Sequence, residues 1–275
     1  MRHHYWVVLL AGIIACSDKG VLRYHPRRDG VHHYVLTMRS VREDAGIMSA
    51  VPRYSEVWTV YYTQFGRFTD RRGAGSEVSL QIDSVQLQSD HPAPDLSPMK
   101  GQTISAFLDG RGQLLRTEPA PGEFSNLTPD MVVRLHAMAA ATAPSFPLEP
   151  VEPGDRWTMT TRSPLEESGI GADGLAELQL GATLNAIHES MNDKVAEVGI
   201  QGSLPTRETR VNTSLGSLPA RSSGTVIGQY RFSLPRGVML SQELSGRLML
   251  VSDAPGLGRD TLLSRLVTQT TIRLQ

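Results

Sequence analysis

Cysteine is almost missing: 275 residues contain one, Cys16. A sulfur metal site needs several thiolates and an internal disulfide needs two, so neither is expected in the body of the chain. Long apolar runs are scarce too. Only Trp6–Ala15, ten residues, is unbroken, whereas a helix crossing a bilayer core needs about 20. Neither sign of charge dominates, with 27 Lys and Arg against 28 Asp and Glu. Without a basic block, nucleic acid is not an expected partner. The chain also lacks the Gly-x-Ser-x-Gly elbow, the Gly-x4-Gly-Lys-Ser/Thr phosphate loop and the His-Glu-x-x-His pair. Each of those places a nucleophile, a phosphate cradle or two metal ligands at fixed spacing. No catalytic residue, metal site or cofactor is therefore expected, and the reading is of a non-enzymatic protein.

The histidines fit that reading. His32 and His33 are adjacent, so on a strand they face opposite ways and cannot chelate one ion together. His136 falls at the edge of an apolar stripe, and His188 lies beside a hairpin, where exposure is expected. A hydrolase whose Ser, His and acid converge only in three dimensions stays open as a minor alternative.

What is present begins with the surroundings of Cys16. Residues 1–15 have the layout of an export signal: a short n-region with Arg2, then the apolar run, then a small residue, Ala15. The run closes Ile13-Ile14-Ala15-Cys16, which resembles the lipobox of bacterial lipoproteins. The resemblance implies cleavage before Cys16 by a signal peptidase II type of enzyme and acylation of that residue, in part by palmitate-like chains. The alternative is an ordinary export signal with an incidental thiol. Acyl chains contribute about 0.8 kcal/mol per buried CH₂, and two or three of them anchor durably. Removing residues 1–15 deletes one charge, Arg2, leaving 26 basic against 28 acidic residues and a charge of −2. Ser17 rather than Asp follows the cysteine, which by the same resemblance implies the outer membrane, facing the periplasm. Residues 16–30 read as a lipidated tether, in which Arg23, Arg27 and Arg28 either meet lipid head groups or stay solvated.

Beyond residue 30 the chain alternates at period two. Strands are expected over 31–40, 54–65, 76–88, 102–108 and 112–118, and again over 175–187, 194–201, 225–234, 238–251 and 261–274. In the third run Val78, Leu80 and Ile82 share one parity and Val85 and Leu87 the other, so a β-bulge belongs near Asp83-Ser84. One helix is expected at about 129–143. Thr128 supplies its N-cap, Pro129 its first position and Pro144 its stop. Met131, Val132, Leu135, Met138, Ala139 and Thr142 form one face, with Arg134 pointing away.

A proline-rich connector, 144–155, follows the helix, and Pro153-Gly154-Asp155 marks a turn before a new strand that starts at Arg156-Trp157. Phe107-x₃-Arg111-Gly112-x-Leu114-Leu115-x₂-Glu118 is echoed, 125 residues later, by Phe232-x₃-Arg236-Gly237-x-Met239-Leu240-x₂-Glu243. The fold class that results is mainly β: a curved antiparallel sheet or half-barrel with one amphipathic helix. Its halves, 31–147 and 148–275, are either related or alike by chance.

Lipobox, long antiparallel strands, one amphipathic helix and a proline-rich crossover together resemble the lipoprotein-carrier class of envelope proteins. The resemblance implies an incomplete barrel closed over an apolar cavity. An apolar ligand, or a lipidated partner, would then lie between sheet and helix against Met131, Leu135, Met138, Trp58 and Trp157. The chain looks equally like secreted β-rich lipoproteins whose core is packed solid and whose partner is another envelope protein.

Overall fold

Alternation of apolar and polar residues makes a strand two-faced, and each strand here must bury one face. The computed structural model describes residues 22, 30–45, 53–68, 76–92, 94–119, 124–142, 145–147, 149–163, 176–190, 193–214, 216–252 and 261–275. Cys16 and the 144 end of the connector lie outside them. Among the described residues eleven strands form a single antiparallel sheet. They are β1 (Val31–Asp44), β2 (Arg53–Phe68), β3 (Ser76–Ser89), β4 (Thr103–Leu108), β5 (Leu114–Pro119), β6 (Arg156–Ser163), β7 (Ala176–Ser190), β8 (Asp193–Thr213), β9 (Gly216–Ser233), β10 (Val238–Ser252) and β11 (Thr261–Leu274). An α-helix, α1 (Pro129–Ala141), lies between β5 and β6 in the chain.

The order across the sheet is β5-β4-β3-β2-β1-β11-β10-β9-β8-β7-β6. The chain starts in the middle, steps outward to one edge, crosses through α1 to the opposite edge and steps back. Its last strand pairs with its first, from Tyr34↔Leu274 to Asp44↔Ser264. The edges β5 and β6 do not pair, so the curved sheet stays open, and α1 packs against β4, β5 and β6 across the opening. The two halves thus meet through β1 and β11.

The inward faces form one core. Tyr34, Tyr62, Leu80, Leu184, Val198, Phe232 and Ile272, drawn from seven strands, belong to a single buried cluster. Tyr34 and Tyr62 stack with centroids 5.4 Å apart, and the Tyr34 hydroxyl donates to the Met239 carbonyl at 2.9 Å. Leu22, in the segment read as a tether, is also buried in this core. The expected bulge is present: Tyr61 pairs with Ser84 and Tyr62 with Ile82, leaving Asp83 extra. It moves Val85 and Leu87 onto the face of Val78, Leu80 and Ile82, as register partners of Val60 and Trp58.

The helix is built as its sequence dictates. The Met131 amide donates to Thr128 Oγ1 at the N-cap, and the Thr142 hydroxyl donates to the Ala139 carbonyl at 2.8 Å. Past it, Gly154 takes φ 101°, its amide donates to the Leu184 carbonyl at 2.7 Å, and Asp155 Oδ2 accepts from the Glu152 amide. This turn sets β6 beside β7.

The structure exceeds the sequence reading in one region. β8 and β9 run on to Thr213 and back from Gly216, through residues 202–213 and 216–224, where the sequence reading places no strand. Satellite clusters hold this arm to β10 and β11: Leu204 with Leu248, and Val211 with Ala220, Leu250 and Leu263.

Candidate functional site

Four of the five residues expected to hold a ligand enter the core itself. Met131, Leu135 and Met138 from α1 and Trp58 from β2 are at most 6% exposed. Trp157 packs against them half-buried, its indole N–H donating to the Ser145 carbonyl at 3.0 Å. The stripe therefore does what periodicity implied, facing inward beneath the helix. It does so against a dense floor that includes Phe146, whose ring lies 4.6 Å from that of Phe232.

Arg134 does not point away from the sheet. Its guanidinium lies 4.0 Å over the Trp58 ring, and it pairs with Glu56 at 3.5 Å. Helical spacing put it off the apolar stripe. Yet a long side chain can lie over an aromatic face with its charge at the rim, and cation–π attraction favours that placement. Ser40 donates to the same Glu56 carboxylate at 3.2 Å. Charged and hydroxyl groups thus border the core beside Trp58.

A second contact docks the helix to edge strand β5. His136 Nδ1 hydrogen-bonds Thr117 Oγ1, and its ring meets Phe124 edge-on at 6.0 Å. Burial holds the imidazole below its ordinary value. Phe124 itself has φ 69°, a costly conformation for a side chain of that size, and is held there by its amide donating to Gln102 Oε1 at 2.9 Å.

Open space lies between β3 and the loop 94–100. β3 pairs with β4 only as far as Gln81↔Thr103, with Ile82 bonded to Gly101 and Gln102 beyond it. Past Ile82 the loop 94–100 stands next to β3 in place of a strand, a one-turn 3-10 helix (Ser97–Met99) pinning it through buried Met99. Between strand and loop is a cleft of about 400 Å³. Val85, Leu87, Pro94 and Leu96 form its apolar wall; Ser84, Asp95, Ser97 and Lys100 supply its polar groups. Both Asp95 oxygens are engaged by Ser97, from the amide and the hydroxyl, each at 2.9 Å. These bonds hold the Asp95 carboxyl below the usual range. Sequence reasoning missed this cleft. Its one signal was the parity change at Asp83-Ser84, which brings Val85 and Leu87 to the inner face.

Among the described residues, the buried Trp58 Nε1 and Tyr230 hydroxyl have no hydrogen-bond partner. Burial also pushes the Tyr230 phenol far up, so it stays neutral. Such orphans are uncommon in folded interiors.

The remaining candidates do not assemble. His32 and His33 face opposite ways: His32 lies edge-on to inward Tyr34, while His33 Nδ1 sits 2.9 Å from Thr63 Oγ1, which donates to Asp83 at 2.8 Å. His188 is exposed and pairs with Glu197 at 3.2 Å. Among the described residues no group of three or more His, Cys, Asp or Glu is placed to hold a metal, and no helix is long and apolar enough to cross a membrane.

By geometry the chain belongs with large, open, curved antiparallel sheets whose inner face is apolar and whose gap is spanned by a helix. No protein-family model and no curated protein matches it. Among solved structures, one reporting lipid–protein interactions in lipovitellin is similar, with a TM-score of 0.57 over 92% of this chain at 10% identity. The chain spans 25% of that protein's length. The likeness is one of fold.

Proposed function

We propose that the chain is a lipid-anchored lipoprotein of the bacterial envelope, facing the periplasm from the outer membrane, that holds an apolar ligand or lipidated partner against the inner face of its half-barrel. The observation that carries this reading is the open eleven-stranded sheet with an apolar interior bridged by α1. The lipovitellin structure of similar fold concerns lipid, which supports the same ligand class. Trp58 Nε1 and the Tyr230 hydroxyl add two donors that a polar ligand atom would satisfy.

The anchor and the ligand are separable. Cys16→Ser should abolish labelling by radioactive fatty acid and leave an uncleaved precursor; continued labelling contradicts the anchor. For the ligand, the full chain should bind a fluorescent fatty-acid probe, and Leu135→Trp, with the β-sheet circular dichroism retained, reads whether the site reaches beneath the helix. Absence of binding to any apolar probe contradicts it.

A second reading, a packed envelope protein that binds another protein, is favoured by the burial of Leu135 and its neighbours under the helix. Retained probe binding in Leu135→Trp would shift the ligand away from the helix without removing it.

A further inference from the structure

We infer that the cleft between β3 and the 94–100 loop is the seat of the ligand, and that the ligand is a single-chain amphiphile with an anionic head. This rests on the proposed apolar-ligand function and gives it a place and a chemical class. The α1 residues Met131, Leu135 and Met138 are buried in the core, whereas the cleft between β3 and the loop offers about 400 Å³, within the range of about 300–1,000 Å³ typical of small-molecule sites.

Its chemistry is divided. Val85, Leu87, Pro94 and Leu96 make a wall for a hydrocarbon chain, and polar groups share its lining. Of the two charged residues there, Asp95 is spent on Ser97, both oxygens accepting from that residue's amide and hydroxyl. Lys100 stands exposed at the foot of the loop, and its ammonium is paired with no carboxylate among the described residues. The net invitation is to an anion joined to an apolar tail. A neutral oil would leave Lys100 unused, and a cation would meet it unfavourably.

The apolar wall of the cleft borders the core. Leu87 is the register partner of Trp58, and Val85 of Val60, so the apolar wall extends across β2 on the inner face. The Trp58 side chain is nine-tenths buried, with its indole N–H unpartnered. A tail lying along Val85 and Leu87 would pass beside that residue.

The test compares a dansyl-labelled fatty acid with its uncharged methyl ester, each titrated into the full chain. Losing a charge-assisted contact should weaken the acid about tenfold or more in Lys100→Glu, leave the ester unchanged, and spare the acid in Lys100→Arg. Filling the cleft from its exposed side with Ser97→Trp should weaken both probes, and circular dichroism should confirm that each variant is folded. Wild-type binding unaffected by Lys100→Glu and by Ser97→Trp would overturn the cleft while leaving the apolar-ligand function standing. Equal weakening of acid and ester in Lys100→Glu would overturn the anionic head. Absence of binding to either probe in wild type would overturn both the cleft and the function beneath it.

Discussion

The β4–β5 and β9–β10 hairpins carry the same spaced residues, Phe-x₃-Arg-Gly-x-Leu/Met-Leu-x₂-Glu, and use them differently. In both, the glycine after the arginine takes positive φ, 78° at Gly112 and 64° at Gly237. In both, the residue two further on, Leu114 or Met239, is buried. The phenylalanines part company. Leu114 pairs with Leu108, so Phe107 lies on the outer face with Arg116 4.1 Å above its ring. Met239 pairs instead with Phe232, which is therefore turned inward and fully buried against Phe146. A one-residue difference in pairing has flipped the face, because side chains alternate with period two. The motif specifies a turn, and the register decides what that turn's flanking aromatic does.

The same 125-residue offset carries Val31 to Arg156, the first residues of β1 and β6, and moves positions in β4 and β5 into β9 and β10. Both halves also step along the sheet in the same direction. That is the arrangement two tandem five-stranded units would have, with β11 added to close the join to β1.

The sharpest way to break this comparison is to truncate the two phenylalanines. Phe232→Ala should cost about 3–5 kcal/mol, as for a buried aromatic, and Phe107→Ala about 1 kcal/mol, chiefly its contact with Arg116. Equal losses in urea unfolding would contradict the opposite facing. Next comes strand packing near the second hairpin. A Cβ at Gly228 would sit 2.1 Å from the Glu243 carbonyl oxygen and 2.9 Å from Leu244 Cα, so Gly228→Ala should cost about 1–3 kcal/mol. Gly110→Ala, at the first hairpin's turn, meets nothing within 4 Å and should be nearly silent. The turn glycines should then behave alike, Gly112→Ala and Gly237→Ala each costing about 1–2 kcal/mol for a left-handed residue.

The smallest effect concerns pH. His136 has a folded-state value below its unfolded one of about 6.5, so the unfolded chain binds the proton more readily. Its contribution is fully present above about pH 6.5 and falls as pH drops through that value, by less than about 1.4 kcal/mol per pH unit. Burial depresses His32 in the same direction. His136→Gln should flatten the fall in Tm between pH 7.5 and 5.5 without removing it.

Much of this was legible because it is local. The parity change at Asp83-Ser84 announced the bulge, Thr128-Pro129 and the stripe to Thr142 announced α1, and alternation announced most strands. What escaped depends on partners distant in sequence. Residues 202–213 and 216–224 contain Pro205, Pro219 and many polar side chains, and they become strand because β8 and β9 pair there. Pro205 falls where the β8–β9 register shifts, between Leu204 and Arg207. Arg134 was assigned to solvent by helical spacing, yet Trp58, from another strand, gives it a ring to lie on. The cleft escaped for a related reason: it exists where β4 stops pairing with β3, and no single stretch of sequence says where a neighbour ends.

The central claim, that this half-barrel holds an apolar ligand, is tested most directly by native mass spectrometry of the full chain purified without added lipid. The account predicts a bound species of amphiphile mass that is released on denaturation and is anionic when analysed alone. A single bare-protein mass, together with no uptake of offered fatty acid, would contradict it.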